Sequence, residues 1–85
     1  MWILYIIKCN DNSLYTGITV DLEKRINSHV SGKGAKYTRG RGPFEIIYTE
    51  KHLNRSQASK REYFLKTLTS KEKYNFVNKN ARNKI

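Results

Sequence analysis

Apolar and polar positions change their period several times along the chain, and each change marks an element. Trp2 to Lys8 (WILYIIK) is rich in β-branched and aromatic residues, Asn10-Asp11-Asn12-Ser13 supplies turn chemistry, and Leu14 to Ile18 resumes the strand character. The N-terminus therefore reads as a β-hairpin. From Val20 to Val30 the period lengthens to that of a helix: Leu22, Ile26 and Val30 recur every four residues, Asp21 and Glu23 suit a first turn, and Thr19 can cap it. This helix is expected to bury the stripe of Leu22, Ile26 and Val30, leaving Arg25 and His29, about 60° away, at the rim of the buried face. Ser31 to Pro43 interleaves Gly32, Gly34, Gly40 and Gly42 with Lys33, Lys36, Arg39 and Arg41. It is too glycine-rich for long regular structure, with a turn of helix expected at most over Ala35 to Thr38. Phe44 to Thr49 reads as a third strand with Phe44, Ile46 and Tyr48 on one face and Ile47 on the other. A helix capped by Ser56 and reaching Leu68 would gather Ala58, Phe64, Leu65 and Leu68 on its apolar side. Thr69 and Glu72 have the spacing of a capping box, so a last short helix should hold Tyr74 and Val77 against the core.

The order strand, strand, helix, basic loop, strand, helix, helix predicts an α+β fold: a small three-stranded antiparallel sheet, the hairpin plus the third strand, flanked by helices. Parallel crossover units do not fit it. With 85 residues, the chain has room for one core, assigned to residues 1–78, with residues 79–85 as a basic, frayed tail. The hairpin carries a sharper expectation. Tyr5 and Tyr15 share a sheet face only if the connecting loop holds an odd number of residues, so a loop of Asn10, Asp11 and Asn12 is predicted, with Cys9 facing Ser13. A two-residue turn would split the tyrosines.

Charge narrows the partners. The chain has 17 Lys and Arg against 7 Asp and Glu, a formal net charge of +10 and a pI near 10.0, a field that favours polyanions. If roughly five of these cations touch phosphates, counterion release predicts a log–log salt slope of about −4 to −5. Cys9, the only cysteine, excludes an internal disulfide and any multi-thiolate zinc site, and suits a reducing cytoplasm. Beside it stand only His29 and His52, so no structural zinc is expected. The opening apolar run ends at Lys8, far short of a membrane span or a signal-peptide core.

Most enzyme classes find no support. There is no pair of carboxylates placed for acid–base work, no nucleophile triad, and no phosphate-cradling GxxxxGK loop. What remains is the hairpin tyrosines, Arg25 and His29 one helical turn apart, and Glu62 at the border of a later helix's apolar side. Tyr5-Ile6-Ile7 within LYIIKC, Tyr15-Thr16-Gly17 within LYTGIT, the helix DLEKRINSH, the loop SGKGAKYTRGRGP and the helix SKREYFLK follow one another in order. Together they resemble the GIY-YIG nuclease superfamily over nearly the whole chain, and in particular its short stand-alone bacterial members, the YhbQ-like proteins. The first block departs from the family's name by reading Leu4-Tyr5-Ile6-Ile7 without a leading glycine, a change that touches packing more than chemistry.

Carried over by position, the resemblance implies that Tyr5 and Tyr15 line an active site, that Arg25 and His29 face the phosphate, and that Glu62 binds one divalent metal, Mg²⁺ or Mn²⁺. It implies an endonuclease that hydrolyses DNA, structured or single-stranded, of the kind DNA repair or recombination uses. Which tyrosine acts as the base stays open. Lys33, Lys36, Tyr37, Arg39 and Arg41 of the glycine-rich loop are expected to hold the nucleic-acid backbone with little sequence specificity. The second reading is a non-catalytic nucleic-acid-binding module acting through a protein partner; the third, an adaptor for acidic membranes or proteins, explains the charge but not the constellation. Each residue also has a plain structural role to weigh against these: strand aromatics pack, Arg25 and His29 can be a solvated edge, and Glu62 can pair with Lys66. Trp2 is expected to cover the core, and His52 to lie on the surface outside the site.

Overall fold

The computed structural model describes residues 1–35 and 38–82, and the side chains of residues 1–35 and 38–80. Its elements run β1 (Trp2–Lys8), β2 (Leu14–Thr19), α1 (Leu22–Val30), β3 (Glu45–His52), α2 (Arg55–Lys66) and α3 (Ser70–Arg82). The strands form one antiparallel sheet in the order β2-β1-β3, which is the expected α+β architecture. The last three residues of the expected tail lie outside the described residues.

The hairpin closes on three loop residues. The register pairs Lys8 with Leu14, Cys9 N–H donates to Ser13 O at 2.8 Å, and Asn12 N–H donates to Cys9 O at 3.0 Å. Asn12 takes the left-handed φ of 67° that a three-residue hairpin loop needs at its last position. Asp11 locks the tip by accepting from Ser13 N–H (3.1 Å) and Ser13 Oγ–H (2.5 Å). Since Tyr5 pairs with Gly17 and Tyr15 stands two residues before Gly17, the odd loop puts both tyrosines on one face.

The opposite face makes the core. Leu4, Ile6 and Leu14 pack with Leu65 of α2 and Val77 of α3, and Ile18, Ile47, Tyr48, Leu68, Tyr74 and Phe76 close around them. The Thr69–Glu72 capping box forms as the sequence indicates, Glu72 N–H donating to Thr69 Oγ1 (3.2 Å) and Thr69 N–H to Glu72 Oε1 (2.8 Å). Tyr74 then pins α3 to the hairpin tip by donating to Asn12 O at 2.7 Å.

Four local expectations are overturned. Asp21, not Thr19, caps α1, accepting from Lys24 N–H at 3.1 Å, while Thr19 Oγ1 receives Asp21 N–H and only steadies the entry. Asn54, not Ser56, caps α2 through Gln57 N–H (2.9 Å), and the helix stops at Lys66, so Leu68 joins the core from the following turn. Phe64 is half exposed, with the Arg61 guanidinium 5.6 Å from its ring centroid. The third strand runs on to His52 and carries a bulge: Ile6 pairs with Tyr48 but Ile7 with Ile46. The extra residue, Ile47, breaks the alternation, sending Tyr48 to the core face and Ile46 to the tyrosine face.

Past the bulge the core face turns polar. Glu50 accepts from Tyr48 Oη–H (2.5 Å), His52 Nε2–H (2.6 Å) and Arg61 Nε–H (3.1 Å). His52 is therefore a half-buried member of this network and not the expected surface residue. Burial alone would raise the Glu50 carboxyl, yet the hydrogen bonds from Tyr48 and His52 and the charge of Arg61 outweigh it and hold it below the usual range. Burial first, then the neighbouring Glu50, push the Tyr48 phenol up to about 12.

The two helix caps give a direct test of the corrected boundary. Asn54→Ala should cost about 1 kcal/mol in urea unfolding, and Ser56→Ala less than about 0.5 kcal/mol. The opposite ranking would return the cap to Ser56.

Candidate active site

The tyrosine face of the sheet is covered by α1, in a different rotation from the one its apolar periodicity suggests. Val30 is 68% exposed and His29 only 1%. The face turned to the sheet is Leu22, Arg25, Ile26 and His29, an i, i+3, i+4, i+7 pattern that ends on a buried histidine. His29 is thus not at the rim but enclosed, and Arg25 is half-buried beside it.

Hydrogen-bond counting assigns every proton in this centre. Thr38 spends its one hydroxyl proton on Ala35 O (2.8 Å), so its oxygen must accept from His29 Nδ1–H at 2.8 Å. His29 Nε2 is then a lone pair and accepts the Tyr5 phenol proton at 2.9 Å. Tyr5 Oη in turn accepts from Arg25 Nε–H at 3.3 Å. The chain Arg25 to Tyr5 to His29 to Thr38 to Ala35 O needs a neutral imidazole. Burial first, then the Arg25 charge, press His29 below its usual range and so secure that form.

Two glycines make the close approach possible. A Cβ on Gly17 would lie 2.4 Å from Tyr5 Oη and 2.6 Å from Tyr5 Cζ, so the ring rests on the bare backbone of the next strand. A Cβ on Gly34 would stand 2.4 Å from His29 Nδ1 and 3.0 Å from His29 Cα. Phe44 closes the far side of the imidazole edge-on, with centroids 6.0 Å apart. Thr38, Gly17, Gly34 and Phe44 were not among the candidate site residues read from the sequence. All but Phe44 stand inside the family-like blocks, and their signal was a glycine or small hydroxyl beside a bulky ring.

Tyr15 sits over this centre, its ring centroid 6.4 Å from Tyr5 and 5.3 Å from His29. It is half-buried and keeps an open side, whereas Tyr5 is fully enclosed. Tyr15 also acts on the Arg25 charge, so one guanidinium faces both phenols. Burial raises the Tyr5 phenol, Arg25 works against this, and the charges of Tyr15 and Glu62 add to the rise.

Glu62 arrives from α2 at the β2 edge of the sheet. Its Oε2 pairs with Lys66 Nζ at 3.1 Å, and that ammonium is 5.8 Å from the Tyr15 ring centroid. The plain i, i+4 pair is therefore present, and it stands inside the constellation. Among the described residues no three His, Cys, Asp or Glu side chains converge, and the candidate metal ligand is the Glu62 carboxylate. That is a hard oxygen donor of the type Mg²⁺ or Mn²⁺ accepts while keeping its remaining positions for water and phosphate oxygens. The carboxylate already holds a cation, the Lys66 ammonium.

Tyr5, Tyr15, Arg25 and His29 meet around one centre, and Glu62 borders it through the Lys66 ammonium over the Tyr15 ring. The glycine-rich loop divides. Lys33 and Arg39 are exposed, while Arg41 is drawn into an ion pair with Asp11 and its carbonyl accepts from Asn10 N–H at 2.6 Å, fastening the loop to the hairpin tip. Lys36 and Tyr37 lie outside the described residues.

A model of the GIY-YIG catalytic domain matches residues 1–75. A UPF0213 protein from Oceanobacillus iheyensis is 53% identical over 74 residues, covering 87% of this chain and 86% of that one. YazA, a UPF0213 protein of Bacillus subtilis, is 44% identical over 80 residues, 94% of this chain and 81% of its own. The solution NMR structure of a UPF0213 protein from Bacillus halodurans is 46% identical with a TM-score of 0.60, covering 92% of this chain and 84% of that one. A second solution structure, of a protein from E. faecalis, is 42% identical with a TM-score of 0.64, covering 91% and 82%.

The depressed His29 fixes a pH signature. The unfolded chain takes up a proton near the ordinary histidine pKa of about 6.5 that the folded chain refuses. The stability this group contributes is therefore full above about pH 6.5 and is lost as pH falls through that value and on through the lower folded one. Melting curves between pH 5 and 8 should show Tm dropping on the acid side, with a shallower drop in His29→Gln. Equal slopes in the two proteins would contradict the neutral, enclosed imidazole. Separately, Gly17→Ala should cost about 1–3 kcal/mol by overpacking against Tyr5, read by the same melts.

Proposed function

The chain belongs to the GIY-YIG family, and from that membership we propose that it is an endonuclease hydrolysing phosphodiester bonds in DNA with one divalent metal ion. The observation that carries the reading is that the Arg25 guanidinium is hydrogen-bonded to the Tyr5 phenol while Glu62 stands on the Tyr15 side, paired with the Lys66 ammonium that lies over the Tyr15 ring. Nucleases of this family generally depend on a divalent metal, and on this reading Glu62 would hold it. When bound, the ion would supply charge neutralisation for the phosphate as it gains a fifth oxygen and help for the leaving oxygen.

The chain's own groups divide the remaining work. Arg25 presents its guanidinium to the phosphate side while its Nε–H stays committed to Tyr5, so the charge is held in place before substrate arrives. Tyr15, with an open side, is the phenol that meets the attacking water. Tyr5, sealed and donating its hydroxyl hydrogen bond to His29, is a positioning residue that fixes Arg25 and the underside of Tyr15. This assignment follows from burial: an enclosed phenol whose pKa is raised keeps its proton and has no water within reach to activate. Lys33 and Arg39 on the exposed loop, with Lys36 and Tyr37 beside them in sequence, would hold the sugar-phosphate backbone without reading bases. A domain of this size has few side chains to spend on base edges, so sequence specificity is low.

Purified protein is incubated with branched, single-stranded and duplex DNA and with RNA, in Mg²⁺, in Mn²⁺ or in EDTA. Metal-dependent cleavage is expected, falling by about 10² or more in Glu62→Ala and in Arg25→Ala while binding is kept. Tyr15→Phe should lose a similar factor, and Tyr5→Phe less, with a lower Tm. Binding without cleavage of any substrate by wild type would leave the non-catalytic binding module as the better reading.

A further inference from the structure

Beyond the reacting centre, on the other side of Tyr15, lies a cleft of about 290 Å³ lined by Leu14, Tyr15, Thr16, Lys66, Ser70 and Lys73. It sits between the β2 edge and the start of α3. Nothing in the proposed chemistry uses it. Its composition is unusual for a groove that only solvent fills.

Three features of the cleft point to an anionic occupant. Two ammonium groups from different helices line it, and among the described residues no carboxylate pairs with Lys73. Lys66 has Glu62 as a partner but lies on the cleft and over the Tyr15 ring at once. Burial first, then the nearby Lys66 charge, lower the Lys73 pKa. The second feature is Thr16, whose hydroxyl oxygen is buried and has no hydrogen-bond partner. Such a group is costly to leave unpaired, and an oxygen-rich ligand beside it removes the cost. The third is the start of α3: beside the capping carboxylate of Glu72, Ser70 opens a helix of 13 residues, an end that favours negative charge.

We infer that this cleft is a second phosphate subsite, built by Lys66, Lys73, Ser70 and Thr16, that holds a backbone phosphate of the nucleic-acid strand next to the one lying at Arg25 and Glu62. The inference rests on the nucleic-acid reading above and deepens it. Tyr15 is the wall shared by the two sites, so a strand crossing the β2 edge passes its ring between one phosphate and the next. The subsite holds the strand through its charge and not its sequence. It also gives Lys66 a second anion to face, beside the carboxylate of Glu62.

The test reads binding and not cleavage. Fluorescence anisotropy of a single-stranded oligothymidylate is followed in EDTA across a salt series, and the amide signals of Thr16, Ser70 and Lys73 are followed by ¹H–¹⁵N NMR. Wild type should show those three amides shifting as the strand binds. Lys73→Ala should weaken binding about fivefold or more at low salt and lower the log–log salt slope by about 0.7, the increment of one single-strand phosphate. Lys73→Arg should restore the slope, and Lys60→Ala, on the exposed side of α2, should leave the Thr16 and Ser70 shifts in place. Unmoved Thr16 and Ser70 amides at saturation, or an unchanged slope in Lys73→Ala, would remove the subsite. So would inorganic phosphate shifting the same amides at the concentrations that suffice for the strand, since the site would then be one for a free oxyanion. A wild type that cuts nothing leaves this measurement intact, and a wild type that cuts while Thr16 and Ser70 stay still loses the subsite alone.

Discussion

The buried hydrogen bond from Tyr5 to His29 is the constraint around which the rest is arranged. It joins the central strand to α1, and through Thr38 it fastens the glycine-rich loop to both. A fully buried phenol and imidazole cannot be left unpaired without a penalty of a few kcal/mol, so the helix must present His29 inward even though that turns Val30 out to solvent. The same bond sets the demand for bare backbone at Gly17 and Gly34, because the two rings meet only if nothing projects from the neighbouring chain. Arg25 then follows from helix geometry: four residues before His29 and one turn along, its Nε–H reaches the phenol from the other side.

Much of this was legible in the sequence, unevenly. The hairpin could be read to the residue because its logic is parity: three loop residues put Tyr5 and Tyr15 on one face, and Asn12 is a residue that tolerates the left-handed turn. The Thr69–Glu72 capping box was equally plain, since both partners lie within one turn. The rotation of α1 was not, because an apolar stripe counts Val30 and discounts His29, and only the buried partners Tyr5 and Thr38 reverse that weighting. The caps at Asp21 and Asn54 were missed by two residues each, where several oxygen-bearing side chains compete and local geometry decides. The bulge at Ile47 has no local signal at all; it arises from fitting β3 to both the core face and the tyrosine face of β1. In the candidate site, the charged and aromatic members were proposed by type and order, and the shaping role of the small ones, Gly17, Gly34 and Thr38, was passed over because size complementarity appears only when the rings are in place.

The sheet keeps two kinds of polar interior apart. On the core face, Glu50 is satisfied by Tyr48, His52 and Arg61, and Arg61 also lies 5.1 Å from the Phe76 ring centroid. That network closes on itself between β3, α2 and α3, and its acid finds a full set of donors. On the tyrosine face the donors outnumber the acids: Arg25 is shared by two phenols, and Glu62 by whatever cation comes to it. A saturated cluster is suited to holding elements together, and an unsaturated one to receiving a charged ligand.

On the proposed reading, that surplus of donors explains how one carboxylate suffices. A single Glu62, already neutralised by Lys66, is a weak resting place for a divalent ion, and the surrounding field of a chain with net charge +10 weakens it further. A phosphodiester changes the balance: it brings oxygens of its own for the ion, and its negative charge offsets the cations that would repel it. Metal and strand then favour each other's arrival, by a coupling that must be the same in either order. Lys66 is the side chain through which the exchange would run, because it touches the carboxylate, the open phenol and the cationic cleft together. A second carboxylate in the site would hold the ion without substrate and remove that dependence.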